Sequence, residues 1–488
     1  METRKRHNFI SSITTGVLGL TLISLAACNS GETTTATPTS GGSAGNVSAL
    51  VFVNNTGDKT LTSVALKGDS GNAVVNTIDA AKFENVALGD MQFSDKDWVF
   101  LNLAAANKVA TIDPLTAATP VHEANLAVGT RPVHLYRDRN DGEVIWIMND
   151  GDNAAGTTTP GDDLINCAAS GGGSVTVIHN SHLGPGGTPP TVLGTTCLLA
   201  DGHKVAAFAE NKRVFVSSET GGEIAVVDGD ETSANYRKMI ARIDLCKSSK
   251  ETTPCNDESA TPITTAFTPN ASAPHGIRWS PLTKKVYSIQ EGYGEIAEID
   301  PATLAITKTF DLAGTPYTSY GISPDGKYLL LRGETTAPQA TKLGVIDLSA
   351  AVPAIADLTI PELDGTSAGA YKFAPNSGRF YILAGNGATA TKKDRLFVFD
   401  WTTVAPPTLT LLREIPLVST GGHGFDVLAE GAGEAKYLAV SNAAPANSLT
   451  IINATDNQEK QTVPVGANPG GVMVFDSGAA LAGNQASN

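Results

Sequence analysis

From residue 49 onward, short apolar runs alternate with turns rich in Gly, Pro, Asp and Asn, and a four-run unit recurs about every 45–70 residues. The clearest unit opens at Pro274-His275-Gly276-Ile277 and turns at Ser280-Pro281-Leu282. It continues through runs at 285–289, 294–300 and 306–312. The next unit repeats this order: Tyr320-Gly321-Ile322, the turn Ser323-Pro324-Asp325-Gly326, then runs at 328–333, 343–348 and 355–360. Pro-Asp-Gly presets a tight turn, Pro supplying φ and Gly tolerating positive φ. Alternation within each run predicts strands with one face turned to a neighbouring sheet.

The third run of each unit gives the count, because it ends in two apolar residues and Asp. The matches are Ile112-Asp113, Val227-Asp228, Ile299-Asp300, Ile346-Asp347 and Phe399-Asp400, with Ile452-Asn453 and Ile178-His179 as substituted versions. That makes seven units. An eighth comes from the two ends: residues 49–79 read as strands two to four, and 470–476 as a lone first strand. Joining them closes a ring and removes open sheet edges. The expectation is an all-β chain, a single β-propeller over residues 47–488, with eight four-stranded blades and an error range of seven to nine. The strand period excludes a helical solenoid.

The N-terminus reads as an address. Arg4, Lys5 and Arg6 precede an interrupted apolar stretch from Phe9 to Ala27, the pattern of a secretory signal over 1–27. Leu25-Ala26-Ala27-Cys28 resembles a bacterial lipobox, which implies cleavage before Cys28 and lipid on that residue. Asn29 as the second mature residue favours the outer membrane, so a periplasmic or cell-surface site is expected. Residues 28–46 carry the lipidated Cys and a Ser, Thr, Gly and Pro tether that cannot bury surface. The membrane, through that anchor, is the first expected partner, and the chain is expected to be a monomer.

Among 488 residues, 34 Lys and Arg face 49 Asp and Glu, a net charge of −15. That excludes nucleic acid as a partner, because phosphate recognition needs a basic footprint. In an oxidising compartment, the four remaining cysteines (Cys167, Cys197, Cys246 and Cys255) predict two disulfides. Nearest-neighbour pairing, Cys167–Cys197 and Cys246–Cys255, is favoured over two other pairings. Two Gly, Thr, Pro and Asp rich insertions, 150–172 and 246–273, carry three of these cysteines, where long loops need pinning.

The chemistry lies in the histidines. Four of the eight stand at or near the start of a first strand: His134, His203, His275 and His423. First strands line a propeller's channel and their starts open at one mouth, so four imidazoles can face a common axis. Imidazole is the commonest metal ligand, and Zn²⁺ takes four N, S or O donors. Asp90 and Asp426 are candidate oxygen ligands. Gly202, Gly276, Gly422 and Gly424 would let the backbone approach the axis. His122, His179 and His182 read as structural, as does each axial histidine alone if it bonds only a neighbouring blade.

The Ser-Pro-Asp-Gly turn followed by an apolar strand and Val-Ile-Asp is similar to bacterial propellers of the YVTN type. Arg131-Pro132-Val133-His134, the stretch from Cys197 to His203, Pro274-His275-Gly276 and His423-Gly424-Phe425 together resemble the AztD family of periplasmic zinc metallochaperones. The resemblance implies zinc binding by several of these histidines and a metal-transport binding protein as partner. Catalytic motifs fail. Gly-x-Ser-x-Gly at Ser43 and Ser367 lacks the strand–turn–helix context of a nucleophile elbow. The four Trp do not repeat by blade as quinoprotein docking motifs do. Lactonase propellers hold their ion with carboxylates and Asn. The expectation is a non-enzymatic, metallochaperone-like zinc binder. The alternatives are a protein-interaction platform and a lactonase- or quinoprotein-like enzyme.

Overall fold

The computed structural model describes residues 49–475, apart from 67–73, 96–97, 115–119, 152–171, 181–186, 199–200, 248–249, 251–267, 313, 375–377, 403–406, 420–423, 431–433 and 456–457. The signal, the tether, Cys28, Cys167, Cys255, His182 and His423 lie outside the described residues. Asn46–Asn488 forms one unit.

Eight four-stranded antiparallel sheets form the ring of a β-propeller. Blade 1 is assembled from both ends of the chain. Its innermost strand is Pro469–Phe475, which pairs with Ala49–Asn55, followed outward by Thr60–Leu66 and Val74–Ile78. The other blades are consecutive in sequence. Their innermost strands are Met91–Phe93, Pro132–Arg137, Lys204–Phe208, Pro274–Trp279, Tyr317–Ile322, Ala368–Phe373 and Phe425–Glu430, for blades 2 to 8. Among the described residues, no helix is long and apolar enough to cross a membrane.

The expected alternation holds only at the rim. Outer strands such as Ile306–Asp311 and Thr408–Pro416 alternate between covered and open positions. The second strand of blade 3, Val144–Asn149, is buried throughout. The reason is geometric: a blade is sandwiched between two others, so its inner strands bury both faces. Seven apolar clusters fill all eight seams, the largest spanning blades 3, 4 and 5. The closing seam between blades 8 and 1 buries Val51, Val53 and Val474 against Tyr437 and Leu449.

The Asp that ends the third strands has a specific job. Oδ1 of Asp300 accepts from the amides of Ala302 (2.8 Å) and Thr303 (2.9 Å). Asp347 does the same for Ser349, and Asn453 for Thr455. These are Asx turns that start the loop to the fourth strand, which is why Asn can substitute. Adjacent blades also interlock through their turns. Ser280 Oγ donates to the Gly326 carbonyl (2.6 Å), and Gly326 has φ +73° with Pro281 against its α-carbon. A side chain there would both strain the backbone and strike that ring.

A further repeat runs through the sheets. Asn55, Asn149 and Asn442 end second strands, and each Nδ2 donates to two hydroxyls of the adjoining third strand: Thr60 and Thr62, Ser174 and Thr176, Ser448 and Thr450. This Asn…Ser/Thr-x-Thr signature was readable in the sequence and escaped the blade count. Cys197 and Cys246 are each held in a disulfide. Their expected partners lie outside the described residues.

Candidate functional site at the mouth of the ring

Innermost strands begin irregularly. The pairing slips between Pro132 and His134 in blade 3, and between Pro274 and Gly276 in blade 5. Such bulges re-aim side chains, here at the first turn of the channel wall. His275 is the residue left unpaired by the slip in blade 5. His203 lies one residue before the strand of blade 4, after Gly202 at φ +87°, where a β-carbon would collide with Thr220. That glycine lets the chain enter the blade at this angle.

Three of the four expected histidines come together from consecutive blades. The His134 and His203 rings meet edge-on with centroids 4.8 Å apart, and His203 and His275 stack at 5.0 Å. The side chains grade from sheltered to open along the row: 11% exposed at His134, 25% at His203 and 46% at His275. His423 is outside the described residues.

Each ring presents Nδ1 to a carboxylate. His134 meets Asp90 at 2.7 Å, His203 meets Asp150 at 3.2 Å and His275 meets Glu291 at 3.3 Å. Asp150 is itself fixed, because its other oxygen accepts from the Lys204 amide at 3.2 Å. The Glu291 contact holds the His275 imidazole above its ordinary range, with burial pulling the other way. A histidine whose Nδ1–H is held by a carboxylate is fixed in orientation and exposes Nε2 as its basic nitrogen.

Asp90 was expected only as an oxygen ligand or surface acid, and it backs His134 instead. Asp426 has a different task. Its carboxylate takes the Lys372 ammonium (2.7 Å) and the Val474 amide (2.8 Å), tying the closing strand to blades 7 and 8. Asp150 and Glu291 were missed. Their signal was available: acids follow the second strands of three consecutive blades at Asp150, Glu219 and Glu291. His122 sits on an outer strand, edge-on to Phe83. His179 ends a third strand 3.9 Å from Glu143.

Next to the row lies a buried charged group. Lys204 is fully buried, and burial lowers its ammonium to about 8 despite Asp150, Asp201 and Glu223 nearby. Burial lifts Glu223 to about 7, with Arg242 and Lys204 pulling it back.

The fold has relatives among solved structures. An AztD structure from Citrobacter koseri aligns over 89% of this chain and 99% of its own, with TM-score 0.53 and 12% identity. The apo form of AztD from the same organism gives 0.52 and 13% over 88% and 99%. The dihydro-heme d1 dehydrogenase NirN, in complex with DHE, gives 0.56 and 15% over 88% of this chain and 75% of its own. At such identities the likeness is one of fold. No protein-family profile matches the chain, and no curated protein matches it.

The donor set suits a soft-to-borderline metal. Two imidazoles sharing a tetrahedral ion through Nε2 at about 2.0–2.1 Å would have centroids roughly 5 Å apart, the spacing seen in both ring pairs. Among the described residues, no three His, Cys, Asp or Glu side chains close around one point. The row is therefore a set of adjacent, carboxylate-backed donors, not a finished coordination sphere.

Proposed function

We propose that this propeller is an extracytoplasmic carrier of a transition metal, zinc first, taken as cargo by His134, His203 and His275 at the mouth of the ring. The observation that carries this reading is the row itself. Three imidazoles from three blades lie side by side, and each has its Nδ1 on a carboxylate. A structural histidine needs one backbone partner. A row of carboxylate-backed rings fits ligands held ready, since the acid orients the ring and raises its basicity. Because the row runs from sheltered to open, cargo could enter at His275 and settle toward His134. The sequence resemblance to zinc metallochaperones points the same way. It adds a metal-transport binding protein as the receiving partner and a lipid anchor at Cys28 as the tether.

The reading is of a binder, not an enzyme. Ser367 of the second Gly-x-Ser-x-Gly donates to Glu334 at 2.5 Å, and strand Ala368–Phe373 follows it directly. That is a blade-to-blade tie in place of an activated nucleophile.

The test is zinc content and competition titration of untagged protein from the periplasm. Wild type should hold about one equivalent, and any single His→Ala change in the row should weaken binding severely. A second change should add little, because one coordination sphere is lost only once. Binding should weaken on acidification, because an imidazole must be neutral to bind a metal. Less than about a tenth of an equivalent after loading and desalting would refute the proposal.

A further inference from the structure

Three residues past His275 on the same innermost strand stands Arg278, only 6% exposed. Among the described residues its guanidinium makes one hydrogen bond, from Nη1 to the carbonyl of its own neighbour Ile277, at 2.8 Å. No carboxylate among the described residues pairs with it, whereas Arg137, Arg379, Arg395 and Lys372 all meet acids. Arg332, on the second strand of blade 6, is similar. Its Nε donates to Ser319 Oγ (2.8 Å) and its Nη1 to the Gly369 carbonyl (2.6 Å), again with no acid among the described residues. Its guanidinium lies 5.7 Å from the Tyr371 ring centroid.

These two cations face a common lining. Ile277 and Trp279 pack into the seam toward blade 4, so Arg278, between them on the strand, points the other way. Burial pushes the phenols of Tyr136, Tyr320 and Tyr371 up, and the Arg278 guanidinium pulls each of them back down. Arg332 acts on Tyr371 too. Phenols of blades 3, 6 and 7 thus all feel one guanidinium from blade 5. The innermost strand of blade 4 offers only small side chains at Ala206 and Ala207.

A buried charge without a counter-charge is costly, and a guanidinium most readily meets that cost by a two-pronged bond to a carboxylate or phosphate. The chain carries a net charge of −15 and repels anions in general. Against that, Arg278 and Arg332 place two positive charges that no carboxylate among the described residues pairs with. We propose that Arg278, assisted by Arg332, binds a small oxyanion, a carboxylate or phosphate group, inside the ring beside the histidine row. This site is separate from the metal reading and does not rest on it.

The test uses the full chain stripped of metal on a chelating resin, so zinc plays no part in the result. Inorganic phosphate and citrate are titrated calorimetrically against it, at ionic strength held constant with chloride. Saturable binding of at least one is expected. Phosphate alone would mark a phosphoryl ligand, and citrate alone a carboxylate. Arg278→Gln should weaken that binding about tenfold or more, and Arg278→Lys less, since a single charge remains without the fork. Arg332→Gln, at a half-buried position, should weaken it severalfold and serves if Arg278→Gln does not fold. No saturable response from either probe up to about 10 mM would overturn the proposal. So would affinities unchanged in the arginine variants.

Discussion

The ring is closed by a strand from the far end of the chain, and Phe475→Ala tests how firmly. Phe475 is the last described residue of that strand and is 1% exposed. Its ring meets Phe93 of blade 2 edge-on at 5.9 Å and packs with Leu50, Phe52 and Leu101. Truncating a buried Phe costs about 3–5 kcal/mol in transfer and cavity terms. The edge-to-face pair contributes roughly 1 kcal/mol beyond area, so the upper half of that range is expected. The assay is urea unfolding followed by tryptophan fluorescence, with Leu282→Ala as the control. Leu282 is 49% exposed, and its loss should change stability by no more than about 0.5 kcal/mol. If Phe475→Ala loses less than about 1 kcal/mol, the closing strand frays in solution, and the account of closure is wrong.

Asp150→Asn should weaken zinc binding about 10- to 100-fold while the fold persists, because the acid orients His203 without touching cargo. Unchanged competition titrations would remove its positioning role. Glu223→Gln should flatten part of the pH profile of stability. With its folded value raised to about 7, wild type holds this proton where the unfolded chain has released it. That contribution, about 3 kcal/mol, is therefore complete below about pH 4.5 and lost as pH rises to about 7. Identical wild-type and variant profiles from chemical unfolding at stepped pH would contradict the burial argument. Cys28→Ser should move the protein from membrane to soluble fractions, since the lipid is its expected anchor. Retention after a high-salt wash would refute it.

Eight blades were legible because each is a local event. Strand, turn, strand and Asx turn are written within about 45–70 residues, and an Asp or Asn such as Asp300, Asp347 or Asn453 marks most of them. Closure was legible too, since a strand missing at one end and spare at the other has only one economical use. Inner strands such as Val144–Asn149 do not alternate but are buried throughout. Periodicity reports one buried face, and a blade between two neighbours has two.

The histidine row divides along the same line. That first-strand starts carry His134, His203 and His275 is local information, and the chain supplied it. That His134 would stand against Asp90 and His203 against Asp150 is a matter of blade-to-blade spacing, whereas His275 meets Glu291 within its own blade. His134 and Asp90 are 44 residues apart, and His203 and Asp150 are 53 apart. The same holds for Arg278, an ordinary strand residue in sequence. Only packing shows that no acid among the described residues reaches it. The chain by itself determined how many blades form and which residues stand at their entrances, because those depend on contacts within a few dozen residues. The tertiary structure alone decided which side chains are paired, oriented or left charged inside the ring, because those depend on which strands the closed circle brings together.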